Sequence, residues 1–294
     1  MAKSINVAFP NTHILGYSNG KTQDSRDAIR SGIFFEVHIN SFESISKCDL
    51  IIIASPLSSY EIIARVIQEY LAKDALVIDV GSVKSCTEGL LFRYFPANFI
   101  PCHPIAGRET SGFASSVGDL FKEKLVILTP FCGSSEHFIG LAMKFWELVG
   151  ARCQILDADL HDRIYAYVSH FPQVLMFAYK NVLDKYGIPI PETAFFRLTK
   201  SNMGTWRDII EYNKQNICDA YEDFKSLAIL AKTMQSPLDM QENIANIMKN
   251  ITKMYQQYAG SGLASITNGR FFSSDMQKNV VLDELLSSIE DVVK

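Results

Sequence analysis

The sequence predicts an α/β domain built on a doubly wound parallel sheet, followed by an all-α domain. Three observations lead there. From residue 13 to residue 156, short apolar runs alternate with stretches whose apolar residues recur at helical spacing. Several of these runs close on a breaker or small polar residue, as HILGY does before Ser18-Asn19-Gly20 and LIIIAS before Pro56. Beyond Asp157 strand signals largely cease while helical spacing continues.

The elements run in order. Residues 13–17 read as a strand and 25–31 as a short helix stopped by Gly32. Leu50–Ser55 is a continuous apolar run, the composition of a parallel strand buried on both faces. Ser59–Leu71 carries apolar residues at 62, 63, 66, 67, 70 and 71, a helical spacing. Leu76–Val80 is a strand closed by Gly81, and a helix is predicted around Thr87–Tyr94. Phe99–Cys102 and Leu125–Thr129 are further strands, Glu136–Val149 a helix, and Arg152–Leu156 the last strand. Long helical stretches come next at 158–185, 203–213 and 216–258, with Pro172 marking a kink. The Met-rich stripe from Met234 to Met254 reads as core packing, Gly260–Asn268 as a loop, and Leu282–Val293 as a terminal amphipathic helix. The boundary predicted from this change of pattern divides 1–157 from 158–294.

Composition narrows the function. With 294 residues, 48% hydrophobic and 20% charged, the chain has material for sizeable cores. A net charge of -4 without a basic run argues against a nucleic-acid partner. The six cysteines form no CxxC pair, so neither a zinc site nor a disulfide framework is expected, and a reducing cytoplasm fits. No apolar run approaches the ~20 residues of a membrane span. The beginning, MAKSINVAFP, lacks the apolar core of a signal peptide.

The chemistry concentrates between Leu76 and Pro130. In an open α/β sheet the carboxyl ends of the strands form the ligand crevice. Ser82 comes just after one strand and His103 ends a neighbouring one, so the hydroxyl and the imidazole are expected to share a hydrogen bond there. That pairing suits removal of a proton from a substrate alcohol near neutral pH. A lone His after a strand is usually structural; its company with Gly81-Ser82-Val83-Lys84 points to function. Downstream, Ser169 and Gln173 lie four apart, as do His161 and Tyr165. Arg197 and Arg207 are candidate carboxylate ligands, since the guanidinium fork binds both oxygens.

Taken together, HILGYS, LIIIASP, IDVGSVK, HPIAGRETSGFASSVGDLF with VILTP, DADLHDRIYAYVSHFPQ, and RLTKS with TWRDI resemble the prephenate and arogenate dehydrogenase family of tyrosine biosynthesis. The resemblance runs in order from about residue 2 to about residue 255. It implies a Rossmann-like dinucleotide-binding domain followed by a helical domain that forms a homodimer, and a cytoplasmic oxidoreductase that uses NAD or NADP and no metal. Prephenate or arogenate would lose hydride from C4, the proton of the C4 hydroxyl, and the ring carboxylate as CO2. The resemblance makes His103 the acceptor of the hydroxyl proton, positioned by Ser82, and Arg197 the anchor of a substrate carboxylate. Ser169, Gln173, Glu109 and Trp206 would line the substrate pocket. Ser18, Asn19, Lys21, Ser55, Pro56 and Gly81 would line the cofactor.

The chain departs from the family in four places. The usual SHLPH is SHFPQ, so Gln173 replaces an imidazole and weakens contact with an anionic side chain. Arg108 replaces a Ser or Thr after HPIAG and adds a cation at the mouth. IPIPETAFF replaces the Gly-rich approach to the pocket Arg. The 294 residues also contain no GxGxxG. Met1–Phe9 aligns with the family's first helix, so the first strand and the phosphate-binding turn are expected upstream of Met1. INVAF cannot stand in for that strand, because only Pro10-Asn11-Thr12 separate it from HILGY and a parallel crossover needs roughly a dozen residues. These 294 residues are therefore expected to bind a nicotinamide cofactor weakly or not at all. Two alternatives to an active enzyme of this family remain at the level of sequence. One is a catalytically silent relative that dimerises without binding dinucleotide. The other is a dehydrogenase of the same architecture acting on a hydroxy acid, against which the HPIAG block argues.

Overall fold

The computed structural model describes residues 1–18, 23–39, 41–107, 112–189 and 203–231. They fall into two compact units, one of Met1–His161 with Gln173–Asn213, the other of Asp162–Pro172 with Lys214–Lys294.

The first unit opens on α1 (Ala2–Ala8), then β1 (Leu15–Ser18), α2 (Gln23–Arg30), β2 (Glu36–Ile39) and β3 (Leu50–Ile53). It continues through α3 (Tyr60–Tyr70), β4 (Leu76–Asp79), α4 (Ser85–Leu91), β5 (Phe99–Ile100), β6 (Cys102–Pro104) and β7 (Leu125–Leu128). α5 (Glu136–Leu148), β8 (Arg152–Ile155), α6 (Ala158–Tyr165), α7 (Phe171–Lys185) and α8 (Met203–Tyr212) complete the series. β1 pairs with β2, β3 with β4 and β4 with β5, all parallel. Among the described residues no ladder joins β1 to β3.

Alternation along the strands divides the apolar side chains between two faces, both covered. Leu76, Ile78, Ile100, Cys102, Val126 and Leu128 pack with Phe138, Ala142, Phe145 and Trp146 of α5, and Met1, Ile5 and Phe9 add to that layer. Val77 and Phe99 face the other way, onto Tyr60, Ala64 and Ile67 of α3, Leu91 of α4 and Ile209 of α8. The predicted strands are Val/Ile/Leu-rich because they are buried on both sides. On α3 the buried stripe is Tyr60, Ala64 and Ile67, whereas Ile62 of the predicted stripe is exposed.

Three features differ from the sequence-based expectation. β2 is an added strand: EVHI is only four residues long and carries polar Glu36 and His38, and it pairs with β1 in register Leu15↔Glu36 to Ser18↔Ile39. The sheet is not wholly parallel either, since β6 runs antiparallel to β7 with His103 opposite Ile127, while β7 and β8 are parallel. The strand predicted at Phe99–Cys102 is divided in two at Pro101, whose nitrogen carries no hydrogen for a ladder bond.

The helical stretch predicted at 158–185 is also interrupted. α6 widens into a π-helical turn over Ala166–His170 before α7 begins. Pro172 is the physical reason: its ring clashes with the carbonyl four residues back and it donates no hydrogen bond, so the turn before it loosens. In the second unit that turn packs on α9 (Lys214–Ala231), where Tyr167 Oη donates to Asp223 Oδ2 at 2.5 Å and Phe171 contacts the rings of Tyr221 and Phe224. Burial and then Asp223 push the Tyr167 phenol well above its ordinary range. The Met-rich stripe, the Gly260–Asn268 loop and the terminal helix lie outside the described residues.

Candidate active site

The site is built on the ends of β4 and β6. Asp79, the last residue of β4, is fully buried, and donors from three separate parts of the chain converge on its carboxylate. Its Oδ2 accepts from Lys84 Nζ at 2.6 Å, Tyr60 Oη at 2.9 Å and Gly81 N at 3.0 Å, and its Oδ1 from Cys102 N at 3.0 Å. Lys84 Nζ also donates to Cys102 O at 2.8 Å. The buried ion pair thus satisfies both backbone groups of Cys102, the first residue of β6 after the break at Pro101. Burial, then the Asp79 charge, raise the Tyr60 phenol well above its usual range, so it stays a donor. Burial likewise pushes the Cys102 thiol far up.

This knot fixes the turn after β4. Gly81 is held so closely that a Cβ there would lie 2.9 Å from Tyr60 Oη and 3.0 Å from both Asp79 Oδ2 and Leu57 Cδ2. Ser82, half-buried, is next in the same turn. On the other side the anchored Cys102 carries His103, 8% exposed. His103 Nδ1 stands 2.8 Å from Nε2 of His161, itself fully buried, with the ring planes at 71°. α6 delivers His161 to the ring edge of His103, so the imidazole pair occupies Nδ1.

α6 is held at its start. Asp157 Oδ1 accepts from Leu160 N at 2.9 Å, an N-cap, His161 N donates to Asp157 O at 2.9 Å, and Ser85 Oγ donates to Ala158 O at 3.3 Å. Sequence reasoning does not assign a site role to His161, Asp79 or Tyr60, and it leaves Lys84 as a member of its motif without a role. Only the five-residue spacing of Asp79 and Lys84 offers a local signal.

Of the other predicted residues, Gln173 is buried in the first unit and Trp206 is half-buried there, edge-on to Phe177. Asp208, two residues on, accepts from Ser58 N and Ser58 Oγ, both at 2.9 Å, and so fastens α8 to the segment after β3. Ser169 is half-buried in the π turn of the second unit. Arg197, Glu109, Asn19, Lys21 and Arg108 lie outside the described residues.

The candidate cofactor residues sit at strand ends. β3 and β4 are parallel, so exposed Ser55 and Pro56 share an edge with Gly81 and Ser82. Small side chains and approachable backbone at such an edge fit a dinucleotide lying across the carboxyl ends of the sheet. Ser18 closes β1, its Oγ 3.2 Å from Ser25 Oγ. Among the described residues no group of three His, Cys, Asp or Glu side chains could hold a metal ion, and no helix is long and apolar enough to cross a membrane.

Comparison with known proteins gives a consistent result. Residues 1–155 match the family described as prephenate dehydrogenase, nucleotide-binding domain, and residues 157–250 match prephenate dehydrogenase, dimerization domain. A cyclohexadienyl dehydrogenase of Zymomonas mobilis is 30% identical over 145 residues, 49% of this chain and 50% of that protein. A prephenate dehydrogenase of Lactococcus lactis is 28% identical over 76% of this chain and 64% of its own length. The chain thus spans from half to just under two thirds of the length of these curated relatives. The crystal structure of Aquifex aeolicus prephenate dehydrogenase with hydroxyphenyl propionate and NAD+ superposes with a TM-score of 0.72 at 30% identity, over 87% of this chain and 92% of that one. The arogenate dehydrogenase of Synechocystis, at 18% identity and a TM-score of 0.68 over 87% of this chain and 94% of that one, shares the fold.

Proposed function

The chain belongs to the prephenate dehydrogenase family, and we propose that it converts prephenate or arogenate to the corresponding hydroxyphenyl product by NAD- or NADP-dependent oxidative decarboxylation. The observation that carries this reading is the buried His103 imidazole, anchored through Cys102 at the ion pair and engaged at Nδ1 by His161. With Nδ1 committed, Nε2 is the atom that takes the proton of the C4 hydroxyl as hydride leaves C4. A bound nicotinamide supplies the acceptor for that hydride. Departure of the ring carboxylate as CO2 completes an aromatic ring, and that gain in aromaticity removes the need for a metal.

The other residues bind and orient. Ser82 positions the reacting hydroxyl, and Arg197 takes a substrate carboxylate. Gln173, Ser169, Glu109 and Trp206 line the substrate, with Gln173 offering an uncharged amide where an imidazole is usual. Ser18, Asn19, Lys21, Ser55, Pro56 and Gly81 hold the cofactor. The domain boundary lies at 157/158, and two copies associate through the helical domain, in keeping with the dimerization-domain match. Six free thiols suit a reducing cytoplasm.

One observation favours a second reading, a family member without dinucleotide binding: among the described residues β1 shares no ladder with β3. Calorimetric titration with NAD and NADP, paired with turnover of prephenate and arogenate followed by nicotinamide absorbance, separates the two. Micromolar cofactor binding with turnover establishes the enzyme. Absence of both overturns it in favour of the silent relative.

A further inference from the structure

We infer that His161 is a positioning residue that holds His103 in the tautomer with its proton on Nδ1, so that Nε2 presents a lone pair to the substrate hydroxyl. The inference rests on the reading of His103 as the acceptor of the hydroxyl proton. At 2.8 Å the two facing ring nitrogens share one hydrogen bond, and that bond contains one proton. If His161 Nε2 carries it, neutral His103 must hold its own proton on Nε2 and has no acceptor to offer there. If His103 Nδ1 carries it, Nε2 is the acceptor. Only the second arrangement performs the reaction.

The geometry makes His161 suited to impose that choice. It is fully buried, and its helix is fastened by the Asp157 cap and by Ser85. The rings meet edge to edge at 71° rather than stacked, the approach an in-plane nitrogen lone pair requires. His103 is held from the opposite side through Cys102, whose N–H and C=O are bound by Asp79 and Lys84. Its imidazole is therefore clamped at the backbone and at one ring nitrogen. When the hydroxyl proton arrives on Nε2, the imidazolium keeps its Nδ1–H on His161, and that bond becomes charge-assisted. The role corresponds to that of an orienting carboxylate beside a catalytic histidine, performed here by a neutral acceptor.

The test reads the tautomer directly. Nitrogen-15 correlation spectra of the full chain, with the His103 ring assigned among the six histidines by its loss in His103→Asn, should show a protonated Nδ1 and an unprotonated Nε2. A parent His103 protonated at Nε2 would overturn the inference without any variant. In His161→Leu the Nδ1–H signature should be lost, and kcat should fall by roughly 10²-fold at nearly unchanged KM, within the ~10²–10⁴-fold range for loss of a general base. His161→Gln, which restores an acceptor oxygen, should recover most of kcat and the Nδ1–H signature. A folded His161→Leu that keeps both the tautomer and kcat also overturns the inference. A parent with the expected tautomer but no dehydrogenase turnover overturns the assigned reaction and leaves the pairing standing.

Discussion

Lys84 Nζ lies 2.6 Å from Asp79 Oδ2, and neither side chain touches solvent. The pair stands between the turn that carries Ser82 and the strand that carries His103. Breaking a buried pair from one side strands the other charge, which costs about 3–5 kcal/mol. Lys84→Met should therefore lower the unfolding free energy by about that amount, and it also leaves Cys102 O without its donor. Lys84→Met combined with Asp79→Asn should be less damaging than Lys84→Met alone, because no bare carboxylate remains. Denaturant titration of the set checks this, and a double variant as unstable as the sum of the singles would refute it.

Gly81 should tolerate no side chain. A Cβ at 2.9 Å from Tyr60 Oη and 3.0 Å from Asp79 Oδ2 meets groups that are buried and hydrogen-bonded, so it has no flexible neighbour to displace. Gly81→Ala is expected to cost about 1–3 kcal/mol by overpacking. Adding Tyr60→Phe removes the nearest contact and should return part of the loss, measurable as a partial recovery of Tm.

The same buried groups give stability an alkaline limit. Burial raises the Cys102 thiol and, with the Asp79 charge, the Tyr60 phenol above their unfolded values of about 8.5 and 10. Below those unfolded values both groups are protonated in either state, and their contribution is fully present. Above them the unfolded chain releases protons that the folded chain retains, so stability falls as pH rises. Unfolding midpoints should decline from about pH 8.5 upward, and Cys102→Ala should flatten the first part of that decline. A parent and variant with parallel profiles would show that Cys102 is not responsible.

Much of this architecture is legible in the chain, and the remainder is hidden for physical reasons. β3, β4 and β7 announce themselves because a strand buried on both faces must be apolar throughout. β2 does not, since EVHI gains its place only by pairing with β1. The antiparallel β6–β7 pairing is equally hidden, because strand direction depends on the path of the intervening chain and not on side-chain pattern. Ser82 and His103 are recognisable from their motifs. The partner of His103 is not, because His161 is 58 residues away and its spacing from Tyr165 on the helix says nothing of what it meets. Pro172 marks the interruption of its helix, though not the π-helical turn that accommodates it.

Cofactor preference should follow the end of β1. An acidic residue there takes the ribose 2′-hydroxyl in NAD-selective folds and repels a 2′-phosphate. This chain places Ser18 at that position, neutral and hydrogen-bonded to Ser25, with Asn19 and Lys21 next in sequence. NADP, or use of both cofactors, is the expected outcome. Catalytic efficiencies measured with each decide it, and a large preference for NAD would refute the assignment.

His103 and Arg197 should fail in different ways. His103 is the proposed proton acceptor and acts as the transition state forms, so His103→Asn should lower kcat by about 10²–10⁴-fold with little change in KM. Arg197 is the proposed anchor of a carboxylate that is bound before and during reaction. Arg197→Ala should mainly raise KM, by an amount set by a lost charge-assisted contact of about 1.5–3 kcal/mol. The split matters more than either loss alone, since general unfolding would lower the active fraction in both variants and leave KM untouched in both. A His103→Asn enzyme that turns over at the parent rate removes the proton acceptor from the mechanism. Unchanged affinity in Arg197→Ala transfers the anchor to another cation, and the exposed Arg207 on α8 is the next to be replaced.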